Sequence, residues 1–306
     1  MVANCVTYAN ADVWKGYNGL TCEDYDDMTI TSEALANSSG VLQEVGDTYV
    51  RALVNLKVVG SINGYDVIIF RDKTPTLRTL DLSECTVEAN DKAFYNGNHT
   101  LSDTLGHCAF YNLPKLRKVK LPQGLKTIGD DTFRSCSNLA EIEIPSTVKS
   151  IGSCAFYDCY ALLSVELPRQ MDEIGSDAFY NCTKLDSIVI PEGIKKIQSH
   201  TFENCAKLKK VYLPKGVEHI GSGSFRNTGL EKISLPPTVK EIGSYAFSNS
   251  TSLSELRIPS SILRIYDNAF SGCNNLLKVY TYTVEPTSIN ENTFSTFDKA
   301  TLYVPK

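Results

Sequence analysis

The sequence lacks any long hydrophobic run, and this absence excludes a membrane-spanning helix. No apolar stretch in its 306 residues reaches the roughly 18 residues that a helix needs to cross a bilayer. The first residues, MVANCVTYANADVWKG, have no apolar segment behind a basic one, so they do not have the pattern of a signal peptide. We expect no membrane-spanning segment, and if the parent protein is secreted, its signal has been removed.

An excess of positive charge is also missing. The chain carries 30 Lys and Arg against 35 Asp and Glu, which gives a net charge of -5. A nucleic-acid interface needs a basic stripe to neutralise phosphates. We therefore expect no nucleic-acid partner.

Catalytic and metal-binding signatures are absent as well. The sequence has no G-x-S-x-G, no H-E-x-x-H, no Walker loop and no G-x-G-x-x-G after a strand. Its four histidines are scattered, and the spacing of Cys154 and Cys159 is not that of a usual zinc pair. We expect a protein that is not an enzyme and holds no cofactor or metal.

What the sequence does have is a repeat. The segment IGDDTFRSCSNLAEIEIP, residues 128–145, returns almost unchanged down to the C-terminus. The repeat phenylalanines recur every 22 to 24 residues, at Phe110, Phe133, Phe156, Phe179, Phe202, Phe225, Phe247, Phe270 and Phe294. A fixed period of this length predicts a solenoid that forms one elongated body.

Within each repeat, apolar and polar residues alternate with period two before a proline. This alternation predicts a short strand, with Ile142 and Ile144 pointing inward and Glu141 and Glu143 pointing outward. Proline ends the strand because it cannot donate a ladder hydrogen bond. The strands are expected to be centred near Lys57, Asp81, Lys120, Glu143, Glu166, Val189, Tyr212, Ser234, Arg257, Tyr280 and Tyr303.

The rest of each repeat returns the chain to the next strand. Val148 and Ile151 are expected to point into the core. Gly152 suits a tight turn with positive φ, although Gln198 and Tyr266 occupy the same column, so the requirement is not strict. The following Ser-x-Ala-Phe segment is expected to form a short helical or 3₁₀ turn that inserts Phe156 from the convex side. Together these elements predict an α/β-type solenoid that coils right-handed, with repeats of about 23 residues and a parallel β-sheet on its concave face.

Half of the ten cysteines form a column of the repeat, three residues after its phenylalanine: Cys136, Cys159, Cys182, Cys205 and Cys273. Thr228 and Ser250 occupy this column in other repeats. Side chains in register run parallel and do not converge, so we expect reduced, buried thiols. Replacing Cys159 or Cys182 by serine is expected to cost about 1–3 kcal/mol through a buried hydroxyl without a partner. Cys5 and Cys22 lie outside the column and are the candidates for a disulfide.

The consensus L-x-x-[IV]-x-[IL]-P-x-x-[VIL]-x-x-I-G-x-x-[AST]-F-x-x-C resembles that of the BspA-like leucine-rich repeat family. The resemblance is close over residues 110–305 and looser over 45–109. It implies a leucine-rich repeat fold. It also implies a secreted or cell-surface bacterial protein, because members of this family are implicated in adhesion to host matrix proteins or to other bacteria.

We predict three regions along the chain. Residues 1–33 form an irregular N-terminal segment, 34–109 form degenerate repeats and a cap, and 110–306 form the regular array. The second region includes GYDVIIFRDK as a helical connection and an inserted, exposed loop at 90–106, which is rich in Asn, Asp and Gly.

The N-terminal segment YANADVWKGYNGL resembles the helix that commonly closes a repeat array in this family. It predicts an amphipathic helix near Asn10 to Lys15 and suggests that the 306 residues are a piece of a longer protein, with the segment the tail of a preceding array. The alternative is a dedicated N-terminal cap, pinned by a bond between Cys5 and Cys22.

The outward columns of the predicted strands define a candidate binding surface. They carry six positive and four negative side chains, which is nearly neutral and unsuited to a polyanion. Arg257, Tyr280 and Tyr303 fall on three consecutive strands, and Tyr212 and Val189 form a second group. Tyrosine and arginine are enriched at binding hot spots, although tyrosines also pack well on any sheet.

The sequence leaves two hypotheses for the function of the chain. The first is a non-catalytic binding or adhesion module, expected to be a monomer. It would recognise a host matrix protein, another bacterial surface protein or a glycan, through the concave sheet or the inserted loop. The alternative is a passive spacer within a larger surface protein.

Overall fold

The structure is a computed structural model that describes residues 21–24, 27–31, 53–283, 289–295 and 299–304. It contains one helix in this part of the chain, α1 (Gly64–Asp72), and many short strands. The strands are β1 (Thr21–Asp24), β2 (Asp27–Thr31), β3 (Asn55–Ile62), β4 (Thr79–Val87), β5 (Thr104–Leu105), β6 (Lys118–Lys120), β7 (Thr127–Ile128), β8 (Glu141–Glu143), β9 (Ser150–Ile151), β10 (Glu173–Ile174), β11 (Ser187–Val189), β12 (Lys196–Ile197), β13 (Lys210–Tyr212), β14 (His219–Ile220), β15 (Lys232–Ser234), β16 (Glu241–Ile242), β17 (Glu255–Ile258), β18 (Arg264–Ile265), β19 (Lys278–Thr281) and β20 (Thr301–Tyr303).

The predicted solenoid is confirmed, because successive repeats add parallel strands to the same side of the molecule. These strands form the main sheet, which consists of three ladders in the order β1-β2-β3-β4-β6-β8, β11-β13 and β15-β17-β19-β20. Only the β1–β2 pair is antiparallel among the described strands. Ile142 and Ile188 are buried, Ile144 is half-buried against the core, and Glu141 and Glu143 are exposed, so the predicted inward and outward faces are confirmed.

The strand predicted near Glu166 is wrong. Residues 162–168 form no strand, although Val165 still points into the core. The amide of Leu163 lies 3.3 Å from the carbonyl oxygen of Ala140, and the amide of Asp186 lies 3.4 Å from that of Leu163. The corresponding bonds of Ser254 and Leu277 are equally long, 3.4 and 3.3 Å, although the ladder is intact at those turns, so these distances do not account for the interruption.

A second sheet lies after the repeat proline and was not predicted as a sheet. It consists of two-residue parallel strands in two ladders, β5-β7-β9-β10 and β12-β14-β16-β18. The second residue of each strand, such as Ile151, is buried, and the first faces outward. The prediction that Val148 and Ile151 enter the core is therefore confirmed.

The segment around each repeat phenylalanine is a series of β-turns, so the predicted helical or 3₁₀ turn is not found. Left-handed residues interrupt any helix at two columns, two residues before and two residues after the phenylalanine. In the repeat of Phe156 these are Cys154 (φ 54°) and Asp158 (φ 60°). The second column is Asn112, Ser135, Asp158, Asn181, Asn204, Asn227, Asn249 and Gly272, and asparagine, aspartate and glycine tolerate this conformation best.

The same segments are joined by a third set of hydrogen bonds, which we call the forward ladder. The amide of Phe156 donates to the carbonyl of Ala178 in the next turn at 2.8 Å, and the amides two residues before and after it donate in the same direction. This pattern of three bonds repeats from the turn of Phe110 to the turn of Phe247. Each turn is thus bonded to its successor along the turn side as well as through the sheets.

Gly152 does not adopt positive φ, contrary to the sequence expectation. A Cβ atom at this position would lie 2.5 Å from the amide nitrogen of Asp130 and 2.7 Å from the carbonyl carbon of Gly129. Glycine is therefore favoured here because the backbone of the preceding turn approaches closely, and not because of a left-handed turn.

The core runs through the array as a column of stacked rings. Ring centroids of consecutive repeat phenylalanines are 5.1–5.5 Å apart from Phe110 to Phe294. The rings from Phe110 to Phe270 are fully buried. Such offset aromatic contacts add to the hydrophobic stabilisation that burial provides.

The N-terminal region contains both expected and unexpected elements. GYDVIIFRDK forms α1 as predicted, and Asn63 and Asp66 cap its first turn reciprocally. Within the segment expected to be irregular, β2 pairs in parallel with β3 and so extends the main sheet. In the loop at 90–106, Phe94 is buried and most other side chains are exposed or half-buried. The proposed helix near Asn10 to Lys15 and Cys5 lie outside the described residues.

Candidate binding surface on the main sheet

The N-terminal half of the main sheet is covered by paired charges. Lys118 on β6 lies 2.9 Å from the carboxylate of Glu141 on β8, and Lys120 lies 3.2 Å from that of Asp81 on β4. Exposed pairs of this kind contribute little stability, but they neutralise one another locally. This part of the sheet therefore offers no strong field of either sign.

The C-terminal strands instead place three predicted residues in one stack. Arg257, Tyr280 and Tyr303 are register partners on β17, β19 and β20. The guanidinium carbon of Arg257 lies 4.6 Å from the ring centroid of Tyr280. The rings of Tyr280 and Tyr303 are 4.4 Å apart and 14° from parallel. Cation–π and ring stacking thus hold the three side chains together.

A fourth side chain, Tyr282, completes this group, which we call the aromatic stack: Arg257, Tyr280, Tyr282 and Tyr303. Arg257 donates from Nε to Glu255 at 2.9 Å and from Nη1 to the hydroxyl of Tyr282 at 3.0 Å. The hydrogen bond to Glu255, followed by that to Tyr282, raises the pKa of Arg257. Sequence reasoning missed Tyr282, although it lies two residues after Tyr280, the spacing that places side chains on one face of a strand.

The second predicted group is a separate, smaller patch. Val189 on β11 and Tyr212 on β13 are register partners, and their side chains are 63% and 56% exposed. In the same column, Ser234 on β15 stands between Tyr212 and Arg257, and no ladder joins β13 to β15 in the described part of the chain. The structure therefore brings together the members of each group but leaves the two groups apart.

The cysteine column is a core feature and takes no part in this surface. All five thiols are buried and free, and each Sγ donates to the carbonyl of the preceding repeat phenylalanine, as Cys159 does to Phe133 at 3.2 Å. Burial raises the pKa of Cys136 to about 12. The expected reduced and buried state agrees with this geometry. The side chain of Cys22 is not among those described, so its pairing with Cys5 stays a prediction.

The cost of serine at Cys159 stays a prediction, but the native serine of this column does have a partner. Ser250, which replaces cysteine in one repeat, donates from Oγ to the carbonyl of Phe225 at 2.9 Å and lies 2.8 Å from the hydroxyl of Thr228. The hydroxyl of Ser250 therefore donates to the carbonyl of the preceding repeat phenylalanine, as the thiols of the column do. Serine is satisfied at this site because the turn presents a backbone acceptor.

Two searches for other kinds of site give no candidate within the described residues. These residues contain no group of three His, Cys, Asp or Glu side chains that could hold a metal ion. Over the same part of the chain, no helix has the length and apolar character required to cross a membrane.

Comparison with known proteins decides the family. The pattern of the BspA type leucine-rich repeat region matches in six copies, over residues 103–229 and 195–306. The chain belongs to the BspA-type leucine-rich repeat family. The matched part of this BspA-type chain includes the regular array and every strand of the aromatic stack. No curated protein shows significant similarity to it.

Several solved structures resemble this BspA-type chain at low sequence identity. A leucine-rich repeat protein from Bacteroides ovatus has 21% identity and a TM-score of 0.55, with 94% of this chain and 74% of that one covered. A leucine-rich cell surface protein from Faecalibacterium prausnitzii has 19% identity and a TM-score of 0.44, with 94% and 86% covered. The leucine-rich repeat protein of T. pallidum has 22% identity and a TM-score of 0.43, with 86% and 89% covered. The first of these supports the leucine-rich repeat fold.

Proposed function

We propose that the chain is a non-catalytic recognition module of a secreted or cell-surface bacterial protein, and that its aromatic stack binds a protein partner. Leucine-rich repeat proteins are commonly surface binding modules, and the family assignment supports this class of function. The observation that carries the proposal is the stacked contact of Arg257, Tyr280 and Tyr303 on consecutive strands.

The geometry of the stack favours a protein over a glycan at this surface. One face of the Tyr280 ring is covered by Arg257 and the other by Tyr303, so the ring presents its edge and hydroxyl outward. A sugar ring stacks on an open aromatic face, whereas a protein surface can use ring edges, hydroxyls and a guanidinium. These groups are also held before binding, which lowers the entropic cost of ordering them in a complex.

The test is binding of the chain to arrays of host matrix proteins and bacterial surface proteins, followed by affinity measurement for each protein captured. The triple variant Arg257→Ala/Tyr280→Ala/Tyr303→Ala is expected to weaken binding at least about 100-fold, since hot-spot side chains each contribute about 1–2 kcal/mol or more. Circular dichroism would check that the variant remains folded.

The matched control is Tyr160→Ala/Arg169→Ala, which removes an exposed tyrosine and an exposed arginine elsewhere in the array. This control should bind as the wild type does. If the triple variant binds as tightly as wild type, the aromatic stack is not the site. If no protein on either array is retained, the recognition proposal is rejected in favour of the passive spacer.

A further inference from the structure

A second candidate site lies on the opposite edge of the repeats, beside the second sheet. The column that holds Gly152 carries Gln198, Gly221, Gly243 and Tyr266 in four successive turns. Gly221 and Gly243 lie at the floor of a notch with a volume of about 510 Å³. It is an open groove and not an enclosed cavity.

Polar side chains line both long walls of the notch. On one wall, Lys196, His219 and Glu241 are the outward residues of β12, β14 and β16. His219 Nδ1 lies 3.1 Å from Glu241 Oε2, so its other ring nitrogen remains available for a ligand. The opposite wall is formed by three serines, Ser199, Ser222 and Ser244.

Tyr266 closes the end of the notch and differs from the tyrosines of the aromatic stack. Its side chain is 40% exposed, and its neighbour in the column is Gly243, which has no ring to cover it. Among the described residues, no aromatic ring or guanidinium stacks on Tyr266, whereas Tyr280 is covered on both faces. A hydrogen bond to Tyr266 raises the pKa of Arg264, which ties the phenol to β18.

The charges around the notch select for a neutral ligand. The lining contains one lysine, Lys196, and one carboxylate, Glu241, which also interacts with its register partner Arg264. The remaining polar residues of the lining are three serines and one histidine. An anion would face the carboxylate of Glu241, and a cation would face Lys196. Hydroxyl, imidazole and carboxylate groups next to one open aromatic ring suit a ligand that has many hydroxyl groups and one apolar C–H face.

We propose that this notch binds a neutral saccharide unit, with the C–H face of a pyranose ring against Tyr266 and its hydroxyls on Glu241, His219 and the serines. The site shares no residue with the aromatic stack. It therefore gives the chain a second recognition function that does not depend on the proposed protein partner.

The test is saturation-transfer NMR of the full chain with methyl glycosides of glucose, galactose, mannose and N-acetylglucosamine, and with their disaccharides. At least one should show saturable binding. Tyr266→Ala should weaken it about tenfold through loss of the stacked ring, and Glu241→Gln should weaken it through loss of the charged acceptor. Tyr266→Phe should retain most of the affinity.

Controls separate loss of the site from loss of the fold. Tyr160→Ala removes a tyrosine of matched exposure, 42%, far along the array and should bind as wild type does. Tyr266→Gln places in this column the residue that an earlier turn already carries at Gln198, so it should fold and bind as weakly as Tyr266→Ala. Absence of binding by every glycoside overturns the proposal. So does binding unchanged in both Tyr266→Ala and Glu241→Gln, or binding only of charged sugars such as glucuronate.

Discussion

Replacing Gly152 by alanine tests the close approach of neighbouring turns. The added Cβ would lie 2.5 Å from the amide nitrogen of Asp130 and 2.7 Å from the carbonyl carbon of Gly129. Both are backbone atoms, so no side chain can rotate away to make room. The turn of Gly152 would have to move away from the preceding one.

The expected cost combines strain with a weakened ladder. Forcing an extra carbon into a packed site costs about 1–3 kcal/mol. The amide of Gly152 also donates to the carbonyl of Ile128 at 2.8 Å, and losing such a hydrogen bond costs about 0.5–1.5 kcal/mol. We expect the free energy of unfolding to fall by about 1.5–4.5 kcal/mol.

Guanidinium denaturation followed by circular dichroism measures this change, and Gly124→Ala is the matched control. A Cβ at Gly124 would meet nothing nearer than the Asp103 carboxylate at 3.8 Å, and its φ is not in the left-handed region. That variant should equal the wild type or gain about 0.4–1 kcal/mol from reduced freedom of the unfolded chain. Equal stability of Gly152→Ala and Gly124→Ala would refute the reasoning. Gln198 and Tyr266 show that other turns accept a side chain in this column. The loss of stability in Gly152→Ala therefore measures how closely the turn of Gly152 approaches the preceding turn.

Two further predictions concern the buried cysteine column. Cys159→Ser should be more stable than Cys159→Ala by about 0.5–1.5 kcal/mol in thermal or chemical unfolding, because a serine there can donate to the backbone as Ser250 does; a more stable alanine variant would contradict this. Burial raises the pKa of Cys136 from 9.0 to about 12, so the folded state keeps a proton that the unfolded state releases. Its stabilising contribution is complete below about pH 9 and is lost as the pH rises toward 12, by about 1.4 kcal/mol per pH unit. Denaturation between about pH 8.5 and 10.5 should therefore show a shallower loss of stability in Cys136→Ser than in wild type, and parallel slopes would exclude the thiol as the cause.

The sequence predicted those features that depend on side-chain periodicity. The spacing of Phe133 and Phe156 placed both in the core, and the alternation around Ile142 identified its inward face correctly. It also predicted the stacking partners Arg257, Tyr280 and Tyr303, because residues in register on neighbouring parallel strands must lie side by side.

The features it missed depend on the backbone. A two-residue strand such as β9 is too short for a period to be detected. The left-handed turns do have a sequence signal, which is the asparagine two residues after the phenylalanine, as at Asn181 and Asn204. From the sequence we nevertheless predict a helical turn there, because the φ angle of a turn residue depends on the three-dimensional path of the chain. The missing strand at Glu166 has no local sequence signal, since Val165 keeps the inward pattern.

The forward ladder also has an electrical consequence. Its donating amides all point toward the following turn, and the carbonyls that accept them point back toward the preceding one. Each peptide unit has a dipole of about 3.5 D, and aligned units sum as they do in an α-helix. The turn side of the array is therefore polarised along its length, with the positive end at the last turns and the negative end at the first. Anionic groups are favoured near the turn of Phe270 and cationic groups near the turn of Phe110, where Arg71 lies over the ring of Tyr95 beside Tyr111.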